Sequence, residues 1–175
     1  MTPTALTRRA ALLGAGCLTL ALPASAEATH HLQALFVIAR SKNKNALHYH
    51  ARVDKSGNLD PNQPVSAHWL MLAEDGRREG LTFLERRLAY GWSTSLDATG
   101  TLSLRLRAFP ARVLRVVRGE RGRFEARLNI ARQPARLERL FVATDESALT
   151  PSVRYVDIEG FALSDARRLI ERVTP

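Results

Sequence analysis

The chain has 175 residues, a formal net charge of +9, 45% hydrophobic and 25% charged residues, a balance that fits one ordinary globular domain. Ten Gly and eight Pro spread along it exclude collagen-like and low-complexity readings, and the aliphatic content excludes intrinsic disorder. Cys17 is the single cysteine, so a disulfide-stapled scaffold and a cysteine-ligated metal are excluded too.

Residues 1–26 have the three-part grammar of an export leader: Arg8 and Arg9 near the start, an apolar stretch from Ala10 to Leu22, and the small-residue cleavage site Ala24-Ser25-Ala26. Thr7-Arg8-Arg9 ahead of Leu12 and Leu13 resembles the twin-arginine signal, which implies a passenger translocated already folded. The apolar stretch is shorter than the roughly 20 residues a spanning helix needs. The expected product, cleaved near Ala26, is a periplasmic or otherwise exported single domain over 27–175, with no transmembrane segment and no cofactor.

Beyond the leader, period-two alternation dominates. Leu32 to Ala39 is almost continuously apolar and predicts a central strand. Leu47, Tyr49, Ala51 and Val53 form the inward face of the next, joined to the first by a hairpin over Arg40 to Asn45. Val65 to Leu72 follows as a third strand. Leu102, Leu104 and Leu106 alternate with Thr101, Ser103 and Arg105, and Phe124, Ala126, Leu128 and Ile130 alternate with Arg123, Glu125, Arg127 and Asn129. Val113–Val117, 137–143 and 153–158 bring the count to about eight strands, and the shifted phase at Leu137 and Leu140 predicts a bulge.

One helix interrupts them near 82–90. Thr82 with Glu85 three residues on forms a capping box, Leu84 and Leu88 share a face at i,i+4, and Gly91 supplies the stop. A second helical turn is predicted from Ser164 through Arg172, with Leu163, Ala166, Ile170 and Val173 packing inward. The expected architecture is mainly β, an antiparallel β-sandwich or partly open barrel with one inserted helix.

The positive charge is concentrated. Between Arg105 and Arg139 there are eleven arginines against Glu120, Glu125 and Glu138. For an exported protein such a surface meets anionic lipid headgroups, cell-wall phosphates and acidic polysaccharides, not nucleic acid. Most of these arginines alternate with apolar residues and read as the solvated faces of strands.

The stretch Arg40-Ser41-Lys42-Asn43-Lys44-Asn45 with Tyr49 is followed by Trp69, Glu74-Asp75-Gly76-Arg77-Arg78-Glu79, Glu85-Arg86-Arg87 and Ala89-Tyr90-Gly91. Together these resemble the bacterial domain-of-unknown-function family 4833. The resemblance covers most of the chain after the leader, is densest between Phe36 and Gly91, and implies no particular reaction.

Chemistry-bearing residues fall into three groups. Arg40, Ser41, Lys42, Asn43 and Asn45 place cations and neutral donors on one short turn, a combination that holds anions. Glu74, Asp75, Arg77, Arg78, Glu79, Glu85, Arg86 and Arg87 crowd the start of the helix, where carboxylates could work as acid and base, or Glu85 simply caps Thr82 while the other charges form ion pairs that lock helix to sheet. His48 and His50 share a strand face, and His68 on a neighbouring strand could complete a set of three, although solvent-face histidines more often bind nothing. Asp54, Ser56, Asn58 and Asp60 alternate like calcium-loop oxygens but lack the closing Glu, because Val65 stands there; a plain strand connection is expected. No nucleophile elbow and no phosphate-binding glycine loop occurs.

The resulting expectation is a non-enzymatic module binding an anionic cell-envelope ligand through Arg40, Ser41, Lys42, Asn43, Asn45, Glu74, Asp75, Arg77 and Arg78. It requires the two segments to meet at one end of the fold. The alternatives are a hydrolase or lyase using Glu74, Asp75 or Glu85 as acid–base groups, and a structural or protein-interaction module marked by an exposed apolar patch.

Overall fold

The computed structural model describes residues 30–145 and 152–174; the leader predicted over 1–26 lies outside them. The alternating stretches all become strands: β1 (His31–Arg40), β2 (Ala46–Val53), β3 (Val65–Leu70), β4 (Arg78–Gly80), then helix α1 (Phe83–Leu88) and β5 (Trp92–Leu96). There follow β6 (Leu102–Leu106), β7 (Phe109–Arg118), β8 (Phe124–Ile130), β9 (Gln133–Asp145), β10 (Ser152–Ala162) and β11 (Arg168–Val173). They form one sheet in the order β4-β3-β2-β1-β9-β8-β7-β6-β5, which β10 and β11 join at β9.

Strand β9 is the seam. Its first residues, Gln133–Arg136, pair antiparallel with β8, while Arg139–Val142 pair in parallel with Val37–Arg40 of β1, and β10 runs antiparallel along its other edge. A strand that serves two neighbours on one side splays the sheet, so the half holding β1–β4 curls over the half holding β5–β8. Tyr49 of β2 meets Trp92 of β5 edge-on at 5.6 Å, and the Gln33 side chain accepts a hydrogen bond from Phe124 N at 2.9 Å. The result is the mainly β, partly open barrel that the alternation predicts, with the β1–β9 pairing as its one parallel ladder among the described residues.

The core is the inner face of this curl. Leu47, Tyr49, Ala51 and Val53 of β2 are all fully buried, as are Leu104, Val116, Ile130, Leu137 and Ile158 from the opposing strands. The predicted bulge is present: Gly160 pairs with Leu137 and Glu159 with Arg139, leaving Glu138 as the extra residue that moves the buried phase from Leu137 to Leu140. Asp54 to Asp60 is a strand connection, in which the Asp54 carboxylate accepts from Asn58 N and Gly57 takes φ +83°.

Three expectations need correction. The helical turn from Ser164 through Arg172 is instead a tight turn followed by β11, paired with β10. Leu169, Glu171 and Val173 are the more buried residues there and Arg168, Ile170 and Arg172 the exposed ones, so period two wins over the helical spacing of Leu163, Ala166 and Ile170. Secondly, β4, β5 and β11 raise the number of strands above the expected eight. The short β4 and the polar Trp92–Leu96 are the two ends of the main sheet path, where polar, brief strands discourage further pairing. Thirdly, α1 forms with the predicted capping box, but its Leu84–Leu88 face does not pack on the sheet: no residue of the helix is buried.

Candidate functional site

The turn after β1 and the hairpin between β3 and β4 do meet. Asn45 is buried, and its side-chain oxygen accepts a hydrogen bond from Ala73 N at 2.8 Å, while Asn45 N donates to the Asn43 side chain at 3.1 Å. Ser41 ties the turn to β9: Ser41 N donates to Val142 O, and Ser41 Oγ accepts from Thr144 N at 3.0 Å. Asn43, Asn45 and Ser41 therefore have a structural task, fastening one end of the curl.

The cations of these segments do not converge. Arg40 points inward, its guanidinium stacked 4.4 Å from the centroid of the buried Trp69 ring, and its Nε is buried with no hydrogen-bond partner. Arg78 lies on the outer face, near enough to the histidines of β2 and β3 to disfavour their protonation. Between them Arg77 is engaged by three carboxylates, with Glu74 at 3.0 Å, Asp75 at 3.1 Å and Glu79 at 2.7 Å. Lys42 lies exposed on the turn.

The same contacts occupy the carboxylates proposed as acid and base. Backbone and side-chain hydrogen bonds from Arg77 hold the Asp75 carboxyl below its usual range, the wrong direction for a general acid near neutrality. Glu85 accepts from Thr82 N at 2.8 Å and Thr82 Oγ1 at 2.9 Å through one oxygen, and from Trp69 Nε1 at 3.0 Å through the other. It is the N3 member of the capping box and also the anchor that ties α1 to the core tryptophan.

His48, His50 and His68 come together on the outer face, with ring centroids 4.8 to 6.2 Å apart and ring planes within 21° of parallel. Nitrogen lone pairs lie in the ring plane, so stacked imidazoles do not aim at a common point, and no metal-holding group of side chains occurs among the described residues. Burial, together with His68, His48 and Arg78, pushes the His50 pKa down to about 4, and burial lowers His48 and His68 as well.

This cluster makes stability depend on pH. The unfolded chain takes up protons at the ordinary histidine value of 6.5, while folded His50 resists them until about 4, so the unfolded state binds more protons between those limits. Stability is therefore fully present above 6.5 and declines as the pH falls toward 4. The carboxylates held low by arginine, Asp157 and Glu159 among them, add their own loss only below their ordinary values of 3.8 and 4.5. The expected result is a melting temperature that drops from pH 6.5 to 4.5, with a flatter profile in His50→Gln; equal profiles for the two proteins would contradict the assignment.

A second cationic region lies on the other side of Trp69, around α1. Phe83, Arg86, Arg87, Trp92 and Arg107 line one open cleft, and the adjoining cleft shares Arg87 and Arg107 and adds Leu88, Arg105 and Pro110. Arg86 is 6.0 Å from the Trp92 ring, Arg105 donates to Pro110 O, and Arg107 N donates to Gly91 O at 2.9 Å. None of Arg86, Arg87, Arg105 or Arg107 is bridged to a carboxylate among the described residues, whereas Arg112, Arg127 and Arg139 each pair with a glutamate. Sequence reasoning treated Arg86 and Arg87 as members of an ion-paired helix start and Arg105 as the wet face of a strand. The available clue was the absence of any acid between Glu85 and Asp97.

The fold and this geometry define a mainly β, partly open barrel fastened by a buried asparagine and carrying one capped, outward-facing helix. The chain belongs to the family described as Domain of unknown function (DUF4833), whose model matches residues 36–172. No curated protein and no solved structure matches it.

Proposed function

We propose that this domain is a non-enzymatic module that binds an anionic ligand of the cell envelope. The observation that carries the reading is the set Arg86, Arg87, Arg105 and Arg107, four guanidinium groups on two adjoining clefts beside Trp92, none of them bridged to a carboxylate among the described residues. Like charges gathered on an open surface repel one another, and an anion relieves that repulsion while accepting charge-assisted hydrogen bonds from the guanidinium forks. The export leader read in residues 1–26 supports an envelope location.

The turn and hairpin residues Arg40, Ser41, Lys42, Asn43, Asn45, Glu74, Asp75, Arg77 and Arg78 form the rival site. It is the weaker one, because Arg77 is already matched by three acids and Arg40 and Arg78 face opposite sides of the sheet. The hydrolase or lyase reading is weaker still, since Asp75 and Glu85 spend their oxygens on Arg77, Thr82 and Trp69.

Titration calorimetry with inorganic pyrophosphate tests the reading. Arg87→Gln with Arg107→Gln is expected to weaken binding about tenfold or more, the scale of hydrogen bonds to charged groups, whereas Arg40→Gln with Arg78→Gln leaves it unchanged. Loss of binding in the second pair alone would return the ligand to the turn, and no binding by the unsubstituted protein would end the proposal.

A further inference from the structure

We propose that α1 and its arginines dock the domain on the surface of an anionic phospholipid bilayer, with Phe83, Leu84 and Leu88 entering the headgroup region. This rests on the anion-binding reading of the same clefts and names the source of the anion.

The helix itself supplies the first argument. A six-residue helix does not persist on propensity alone, and α1 is held by its capping box and by the Glu85 bond to Trp69. Soluble domains use such an element to bury apolar side chains. Here Phe83 is 73% exposed, Leu84 63% and Leu88 71%. Single exposed leucines need no explanation, but three large apolar side chains on one short helix mark a surface that something covers.

Charge selects what covers it. Arg86 and Arg87 are three and four residues after Phe83, so cations and apolar groups share the same faces of the helix, and Arg105 of β6 and Arg107 of the turn after it add to them. The helix's one acid, Glu85, turns toward Thr82 and Trp69, and the β5 residues that line clefts with the helix, Trp92, Ser93 and Thr94, carry no charge. A second copy of the chain would bring these arginines against their own counterparts. An anionic bilayer satisfies both demands, because phosphates meet the guanidinium groups while the apolar side chains pass below them and the arginine stems snorkel back to the headgroups. No helix among the described residues is long and apolar enough to cross a membrane, and a surface-bound role asks for none.

Vesicle co-sedimentation of the full chain tests this, with the segment before residue 30 common to every variant, so that differences report α1. Vesicles of phosphatidylcholine and phosphatidylglycerol in equal parts are compared with phosphatidylcholine alone. The expected result is preference for the anionic vesicles, weakened about fivefold for each arginine removed in Arg86→Gln with Arg87→Gln. Phe83→Ser with Leu88→Ser, which keeps Thr82 and Glu85, is expected to lose about tenfold or more in vesicle binding, and Leu84→Ser, which lines neither cleft, to weaken vesicle binding while still binding pyrophosphate. Circular dichroism checks that all three variants keep the β fold. Pyrophosphate binding with vesicle binding indifferent to all five substitutions would overturn the bilayer and leave the anion reading standing. Failure to bind either probe would end both. A dimer in light scattering that Phe83→Ser with Leu88→Ser dissolves, without an effect on vesicles, would make a second copy the occupant and overturn the proposal.

Discussion

Replacing Tyr49 with alanine lowers the free energy of unfolding by about 3–5 kcal/mol, the range for truncating a large buried aromatic. Tyr49 is fully buried on the inner face of β2, stacked on Phe36 at 4.6 Å between centroids and edge-on to Trp92 at 5.6 Å. Its hydroxyl donates to Tyr90 O at 2.6 Å, which fastens the segment after α1 to the sheet. This side chain thus bridges the two halves of the curl, and its loss leaves a cavity at their contact. Tyr49→Phe removes the hydrogen bond but keeps the ring, and is expected to cost about 1 kcal/mol. Urea unfolding followed by tryptophan fluorescence measures both. If alanine cost no more than phenylalanine, the contact between the halves would not lie at Tyr49.

The second large effect is at Gly160, where β10 crosses the bulge of β9. A Cβ built there lies 2.2 Å from Arg136 O and 2.8 Å from Ile130 Cδ1. The first of these is backbone, held by the β8–β9 ladder, and cannot step aside without disturbing the seam from which the sheet splays. Gly160→Ala is expected to cost about 1–3 kcal/mol or more, the scale of overpacking a close-packed interior. Gly119→Ala is the matched control. The three atoms nearest its Cβ all belong to the Glu125 side chain, with the nearest oxygen at 2.4 Å, and that group can turn away at the cost of its half-exposed pairing with Arg127. Equal losses for the two variants would mean that β9 and β10 do not approach closely at the bulge.

Much of the barrel was legible because its strands keep one face wet. Where Leu47, Tyr49, Ala51 and Val53 alternate with His48, His50 and Arg52, a period of two needs no tertiary information. The bulge at Glu138 was legible for the same reason, as a break in that phase. β11 was misread because Ile170 is an exposed apolar residue on a strand that is only half covered, and one such residue is enough to mimic helical spacing. The polar strand β5 carries almost no apolar signal at all. No local pattern announces the parallel β1–β9 pairing, since it joins residues about a hundred positions apart through the packing of the whole sheet.

The candidate site shows the same division. Thr82 and Glu85 announced their capping box in the sequence, and the turn and the charged hairpin were expected to adjoin, as the bond from Ala73 to Asn45 shows they do. What sequence cannot supply is which charges find partners. Arg77 and Arg78 are adjacent, yet one is surrounded by acids and the other faces histidines, because Arg77 ends the hairpin turn that carries Glu74 and Asp75 while Arg78 opens β4 opposite Leu70 of β3. Arg87 and Arg107 are twenty positions apart and line one cleft, because the Gly91 backbone approaches Arg107 across the α1–β5 connection.

The most direct test of the anion-binding account is a residue-resolved NMR titration of the domain with inorganic pyrophosphate, following the arginine Nε–H and tryptophan indole signals. The account expects saturable shifts at Arg86, Arg87, Arg105 and Arg107 and at the Trp92 indole, with Arg40, Arg77 and Arg78 unmoved. Shifts confined to Arg40, Arg77 and Arg78, or none that saturate, would contradict it.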